Sequence, residues 1–306
     1  MPVFEQGYRP YTGPVRRGSR ALAIAWESLR PRLRWFVWVL ALMFTFWPYV
    51  VCAVLVYVVT MTDAGATLAA VKPSDVAFQE MSTMELSRVL GFLSADSTAY
   101  WWEVLMSEAL VGGFVLLPAI ACAGILASDR RTGALQIYLA RPVTRGDYVL
   151  GKLLATAAFP ALVTVVPALL LWGLVSLLSK DPAHVLRTWS APFGIVSASL
   201  VYSLWASSVV LALSSVISRP ALVAIATVFV HLFLSGLGGM LSGVFREKAW
   251  LCLSPPFALA GATTPFFGMS LPDWLPYWAC LPHAVVVPAL CLLLVVHRVR
   301  AVEVAT

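Results

Sequence analysis

Residues 190–245 read SAPFGIVSASLVYSLWASSVVLALSSVIS-R-PALVAIATVFVHLFLSGLGGMLSGVF, and this stretch decides the fold. It holds two uncharged runs, 190–218 and 220–245, with Arg219 alone between them. A helix rises about 1.5 Å per residue, so each run is long enough to cross the roughly 30 Å hydrocarbon core of a bilayer. The single charged break predicts a hairpin of two transmembrane helices.

The composition of the whole chain agrees with a lipid environment. Of its 306 residues, 60% are hydrophobic and only 12% are charged, whereas a soluble domain usually carries about 25% charged residues. The mean hydropathy is +0.85. The net charge of +6 comes from short clusters between apolar runs, without a basic stripe interleaved with aromatic residues, so the sequence predicts no nucleic-acid partner.

Further uncharged runs on both sides of this hairpin predict an all-α polytopic membrane protein with six transmembrane helices over residues 35–297. The expected spans are 35–61, 104–128, 153–179, 190–218, 220–245 and 274–297. Residues 62–103 form an outer loop, residues 129–152 form an inner loop, and residues 1–34 and 298–306 form the two ends. Prolines at positions 48, 118, 160, 167 and 288 lie inside the spans and predict local kinks.

One uncharged segment, 249–272, does not fit a straight span. It contains Pro255, Pro256, Pro265 and Pro272, and each proline inside a helix removes a backbone hydrogen bond. We therefore expect a re-entrant or interfacial hairpin before the last span. Six spans with both termini in the cytoplasm also place most of the 21 lysine and arginine residues on the inner side, as membrane proteins usually do.

The segment before the first span is predicted to be an amphipathic interfacial helix. Leu22, Trp26, Leu29 and Leu33 follow one face of a helix, while arginines project elsewhere. Such a helix favours the cytoplasmic surface of the membrane, where it contacts anionic lipid headgroups. The alternative is a basic cluster that only sets the orientation of the chain.

The inner loop, DRRTGALQIYLARPVTRGDYVLGK at positions 129–152, has the pattern of a short helix, a stop and a new helix start. Leu135 and Leu139 share one helical face, and Pro142 ends the short helix. Thr144 and Asp147 have the spacing of a capping box ahead of the third span. The alternative is an ordinary positively charged loop.

This stretch resembles the ABC-2 family of transporter permeases. The matching residues are Asp129, Gly133, Leu135, Leu139, Arg141, Pro142, Val143, Thr144, Arg145, Gly151 and Lys152. Asp129 stands where the family usually has glutamate, and Ala134 where it usually has threonine. The six-span layout, the amphipathic helix and the broken segment before the last span are also similar to this family.

The resemblance implies that the short helix is a coupling helix that binds a separate ATPase subunit. It implies apolar anchors at Leu135, Tyr138 and Leu139, a basic rim at Arg130, Arg131 and Arg145, and further contact through Asp129, Gly133, Arg141 and Pro142. It further implies a dimer of permeases in a bacterial cell membrane, with export as the direction. This chain would hold no cofactor, and ATP and magnesium would sit on the ATPase.

The chain itself shows no convincing ATPase motif. Residues 146–153, GDYVLGKL, fit the spacing G-x-x-x-x-G-K but lack the hydroxyl that binds magnesium after the lysine, since Leu153 stands there. ATP hydrolysis is therefore expected from a partner.

Two other functions stay open: a membrane-embedded enzyme, and a channel or secondary transporter. Ionisable groups in or near the spans are the candidates for such roles, and we assign Glu108 and His231 to a substrate pathway, with His283 near a span as well. No metal site is expected. Small residues in the fifth span, including Gly236, Gly238 and Gly239, predict close packing in the core or between two copies of the chain.

The sequence does not decide three further points. The substrate cannot be read from the spans. The outer loop 62–103 could contact a periplasmic or extracellular partner and transmit force to it. Cys252 and Cys280 flank a loop on the outer side, and whether they form a disulfide is left open.

Overall fold

The computed structural model describes residues 19–30, 54, 119, 121–133, 144–178, 183–269 and 277–299, and every regular element within them is a helix. The α-helices are α1 (Arg20–Leu29), α2 (Gly124–Arg131), α3 (Arg145–Leu178), α4 (His184–Arg187), α5 (Ala191–Val216), α6 (Pro220–Phe245), α7 (Pro255–Thr263) and α8 (Tyr277–Arg298). Lys248–Leu253 and Thr264–Phe267 are 3₁₀ helices. The predictions for residues 1–18, 31–53, 55–118, 120, 134–143, 179–182, 270–276 and 300–306 lie outside the described residues.

Four of the described helices, α3, α5, α6 and α8, are long and apolar enough to cross a membrane. Helices α5 and α6 begin and end within two residues of the predicted runs 190–218 and 220–245. Helix α3 differs from the predicted span 153–179 because it already begins at Arg145, so residues 145–152 extend the helix by about two turns at its N-terminal end. The chain is an all-helical membrane protein in its described part, while the count of six spans stays a prediction.

Helix α5 forms the centre of the described bundle. Of its most apolar stretch 72% is buried, against 22% for α6 and 17% for α8. Its buried side chains include Ile195, Tyr202 and Trp205, which pack with Leu171 of α3 and Phe267 of the second 3₁₀ helix. Helices α6 and α8, at the periphery of the described bundle, expose large apolar side chains instead, as expected where lipid is the solvent.

Helix α3 continues through Pro160 and Pro167. A proline at position 160 cannot donate to the carbonyl of Thr156, four residues earlier. The Cys122 thiol donates to that carbonyl at 3.9 Å. A neighbouring helix thus supplies part of the lost hydrogen bonding, as is common in membrane helices.

The described part of the proline-rich segment, residues 249–269, is broken into short helical pieces, while its re-entrant or interfacial placement stays a prediction. Lys248–Leu253, α7 and Thr264–Phe267 follow one another, and Pro255 and Pro256 begin α7, where missing N–H groups have no helical acceptor in any case. The segment packs on α5, where the Tyr202 hydroxyl donates to the Pro256 carbonyl at 3.2 Å. None of the pieces is long enough to cross a bilayer.

Close approaches at glycines hold this segment in place. A Cβ atom on Gly194 of α5 would lie 2.7 Å from the Phe267 ring, and one on Gly238 of α6 would lie 3.1 Å from the Ser254 backbone nitrogen. Gly236, Gly239 and Gly243 have open space instead. Of the glycines in the predicted small-residue group that the structure describes, only Gly238 therefore lies close to a neighbouring element.

Candidate coupling surface and intramembrane histidine cluster

The chain enters the inner loop through a defined helix end. Helix α2 ends at Arg131, and the Thr132 hydroxyl donates to the Ser128 carbonyl at 3.0 Å. Gly133 follows with φ of +72°, the left-handed conformation that favours glycine just after a helix. The loop therefore leaves α2 in a fixed direction.

The chain leaves the loop through the predicted capping box. The Asp147 backbone N–H donates to the Thr144 hydroxyl at 3.1 Å, and the Thr144 backbone N–H donates to the Asp147 carboxylate at 3.2 Å. The Thr144 hydroxyl also donates to the same carboxylate at 2.8 Å. This reciprocal pattern satisfies backbone donors at the start of α3, and the prediction is confirmed.

A buried polar contact joins the two ends of the loop. Asp129 of α2 accepts from Lys152 Nζ at 2.7 Å and from the Tyr148 hydroxyl at 2.8 Å, both on the same carboxylate oxygen. Tyr148 and Lys152 lie in the first turns of α3 and are buried. We call these three residues the inner-loop clamp. It fixes the end of α2 against the start of α3.

A second contact links the loop to the central helix. The Arg130 guanidinium donates to the carbonyl of Ser215, in the last turn of α5. The last carbonyls of a helix lack helical partners and carry partial negative charge, so a cation there is favourable. The inner loop is thus tied to α3 by the clamp and to α5 by Arg130.

The structure separates the predicted coupling residues into three groups. Arg130, Arg131 and Arg145 are exposed, as a basic rim requires. Asp129 instead contacts Lys152 and Tyr148 within the chain, and the sequence analysis missed this structural role. The remaining predicted contacts, Leu135, Tyr138, Leu139, Arg141 and Pro142, lie outside the described residues.

Helix α1 packs on the same region. A Cβ atom on Gly151 of α3 would lie 2.7 Å from the Ala21 carbonyl oxygen and 2.8 Å from Ile24 Cβ. Ala21, Ile24 and Ser28 are the buried face of α1, while Leu22 and Trp26 are 60% and 59% exposed. Residues 20–29 are helical as expected, but only part of the predicted apolar stripe is exposed, because Leu29 packs partly against the core and Leu33 lies outside the described residues. The interfacial placement of this helix stays a prediction.

A cluster of three aromatic rings lies within the spanning helices. Trp205 of α5 lies between His283 of α8, stacked at 5.7 Å between ring centroids, and His231 of α6, edge-on at 6.2 Å. His231 Nδ1, Trp205 Nε1 and His283 Nε2 are buried and have no hydrogen-bond partner in the described structure. We call these residues the histidine cluster. Glu108, the other predicted pathway residue, lies outside the described residues.

The sequence analysis singled out His231 but did not connect it with Trp205 or His283. The sequence held a weak signal for this grouping. Trp205 and His231 lie in the two helices of the predicted hairpin 190–245, and His283 lies in the predicted span 274–297. Burial of unpaired ring nitrogens away from water is costly. Such groups in a membrane domain are candidates for a function.

The described part thus defines a multi-pass helical membrane protein with a rigid loop junction at one end of its spanning helices. Residues 22–257, more than half of the chain, match the family model described as ABC-2 family transporter protein. The chain therefore belongs to the ABC-2 transporter family and is a membrane-embedded transporter component. No curated protein matches it.

Proposed function

We propose that this chain is the permease subunit of an ABC-2 type transporter. A separate nucleotide-binding subunit holds ATP and magnesium and hydrolyses the nucleotide, and this chain turns the resulting motion into substrate export or into force on an external partner. Family membership supports the permease class. The observation that carries the coupling mechanism is the inner-loop clamp.

The inner-loop clamp supports this mechanism because the inner loop can transmit motion only if its ends are held firmly against the spanning helices. A push on residues 134–143 would reach α3 through the Asp129–Lys152 ion pair and the central helix α5 through Arg130 and Ser215. Without these contacts, a loop would absorb such a push by changing its own backbone angles. Binding by the ATPase at the exposed Arg131 and Arg145 would set register and association rate more than affinity.

The complete transporter in this proposal is a dimer of permeases with two ATPase subunits, in the cytoplasmic membrane of a bacterium. Six spans with cytoplasmic termini, as the sequence predicts, would put the loop 129–152 on the same side of the membrane as the ATPase. The open glycine face of α6, at Gly236, Gly239 and Gly243, allows a close approach by a second copy. Leu22 and Trp26 of α1 contact lipid, and the loop 62–103 is the surface for any external partner.

Co-purification with the ATPase subunit proposed as the partner tests the coupling role. Leu135→Asp and Leu139→Asp are expected to abolish recovery of the ATPase, since each places a charge in the proposed apolar contact. Leu186→Asp is the matched control, because Leu186 is an exposed leucine of α4 at the other end of α3. Undiminished ATPase recovery with both loop variants would remove the coupling helix from this account.

For the substrate pathway, we propose that the histidine cluster and Glu108 line the route. Support comes from the three buried ring nitrogens that lack partners, which can exchange hydrogen bonds with a polar group of a passing substrate. His231→Ala and His283→Ala should lower transport-coupled ATPase activity while leaving ATPase binding intact. His297→Ala, an exposed histidine at the inner end of α8, is the control. Normal activity in both cluster variants would exclude this route.

A further inference from the structure

We propose that Cys252 and Cys280 form a redox-active thiol pair that closes to an intramolecular disulfide. Cys252 lies in the 3₁₀ helix Lys248–Leu253 and Cys280 lies in the first turn of α8. Their sulfur atoms are 3.6 Å apart, although the residues are 28 positions apart in sequence. Both thiols are free in the structure.

The surroundings of the pair allow the bond to form. A disulfide requires about 2.05 Å between sulfurs, so the two atoms must approach by roughly 1.5 Å, within the range of side-chain rotation. The apolar residues that form one buried cluster with the two cysteines are small, namely Ala262, Ala279 and Ala284. No bulky apolar side chain in this cluster opposes the movement.

The two thiols differ in their accessibility to an oxidant, and this difference fixes the order in which they react. Cys252 is 7% exposed and lines an open cleft of about 390 Å³, together with Trp250, Leu253 and His283, whereas Cys280 is fully buried and does not line this cleft. A small dialkyl disulfide can therefore reach Cys252 first. The Cys252 thiolate attacks one sulfur of this oxidant, forms a mixed disulfide and releases one thiol.

Cys280 then completes the exchange. Its thiolate attacks the Cys252 sulfur, forms the internal disulfide and releases the second small thiol. The protein loses two electrons and two protons, and the oxidant is reduced to two thiols. Because Cys252 and Ala279 line the same cleft, the new bond fixes the broken segment against α8 and holds the cleft at one width.

Disulfide formation in the purified protein depends only on the local geometry of the two cysteines. Oxidation in cells also requires that this segment lie on the outer side of the membrane, and that orientation rests on the proposed function. Disulfides persist in oxidising compartments such as the periplasm. The two parts are therefore tested separately.

For the first test, the full-length protein in detergent is treated with oxidised glutathione, alkylated, digested without reduction and examined by mass spectrometry. We expect one linked peptide pair containing Cys252 and Cys280, removed by dithiothreitol. Cys291→Ser should leave the link intact, because the Cys291 thiol contacts Ser208 rather than a second thiol. A glutathione adduct on Cys252 without the internal link, or two freely alkylated thiols, would overturn the proposal.

A second measurement separates the internal link from misfolding. Oxidation should raise the midpoint of thermal unfolding by about 5 °C, because the cross-link restricts the unfolded chain. Cys252→Ser should unfold like the reduced protein and show no shift on oxidation. An equal shift in this variant would contradict the thiol pair. A link that forms in detergent but never in aerobically grown cells would instead contradict the outer placement.

Discussion

At the residue scale, Lys152 is the most consequential charge in the described part. It is buried, and its partner Asp129 is mostly buried as well, so each depends on the other for charge compensation. Lys152→Met keeps the length of the side chain but removes the cation. We expect a loss of unfolding free energy on the order of 3 kcal/mol, because the mostly buried Asp129 carboxylate loses its cation and keeps the neutral Tyr148 hydroxyl as a donor. Thermal unfolding in detergent measures this loss.

The controls for this prediction come from the same junction. Arg131→Met removes an exposed cation of α2 and should leave stability nearly unchanged. The double variant Lys152→Met with Asp129→Asn removes both charges and should recover much of the loss. If Lys152→Met were as stable as Arg131→Met, the buried pair would not be the element that holds the loop ends together.

At the element scale, the contact between α1 and α3 depends on one glycine. Gly151→Ala adds a Cβ atom that meets the backbone of α1 at 2.7 Å, so the helix has to move away. We expect trypsin to cleave faster after Arg20 in this variant, because α1 loses its contact with α3. Gly146→Ala is the matched control, since its nearest neighbouring atom would lie at 3.8 Å. Equal cleavage of both variants would show that α1 does not depend on this contact.

The start of α3 gives a second prediction at this scale. Thr144→Ala removes the hydroxyl that caps the helix, and such a loss typically costs about 1 kcal/mol. Thr144→Ser keeps the hydroxyl and should restore most of the stability. Chemical denaturation in detergent compares the two variants with the parent chain. A serine variant as weak as the alanine variant would mean that the methyl group, rather than the capping bond, stabilises this end.

These same elements show which features of the structure could be predicted from the sequence. The capping box and the bounds of α5 and α6 were predictable, because these features depend on residues close together in the chain. The clamp was not, since Asp129 and Lys152 meet only when α2 and α3 return to the same end of the bundle. Opposite charges at the two ends of one short loop were the available signal. A prediction that α1 packs at Gly151 would have required knowing which face of α3 is left uncovered by the other helices.

At the scale of the whole molecule, burial follows the position of each helix and not its hydropathy. The most apolar stretch of α5 has the lowest hydropathy among those of the four long helices, yet it is the most buried, whereas the corresponding stretch of α8 has the highest hydropathy and is the least buried. In lipid, apolar residues gain little from burial, so small and polar side chains mark the packed helix. Ser199, Ser203 and Ser207 of α5 are fully buried. Sequence hydropathy alone could not place α5 at the centre.

The direction of the helices yields the last prediction, which concerns the orientation of the molecule. Arg130 contacts the last turn of α5, and α6 leaves from that end and ends at Phe245 after 26 residues, about 39 Å away along its axis. Arg131 and Arg246 should therefore lie on opposite sides of the membrane. In a cysteine-free background, a membrane-impermeant maleimide should label Arg246→Cys in intact cells and Arg131→Cys only after permeabilisation. Both positions are exposed, so burial does not hide either one. Labelling of Arg131→Cys from outside would place the inner loop beyond the reach of any cytoplasmic ATPase and exclude the coupling mechanism.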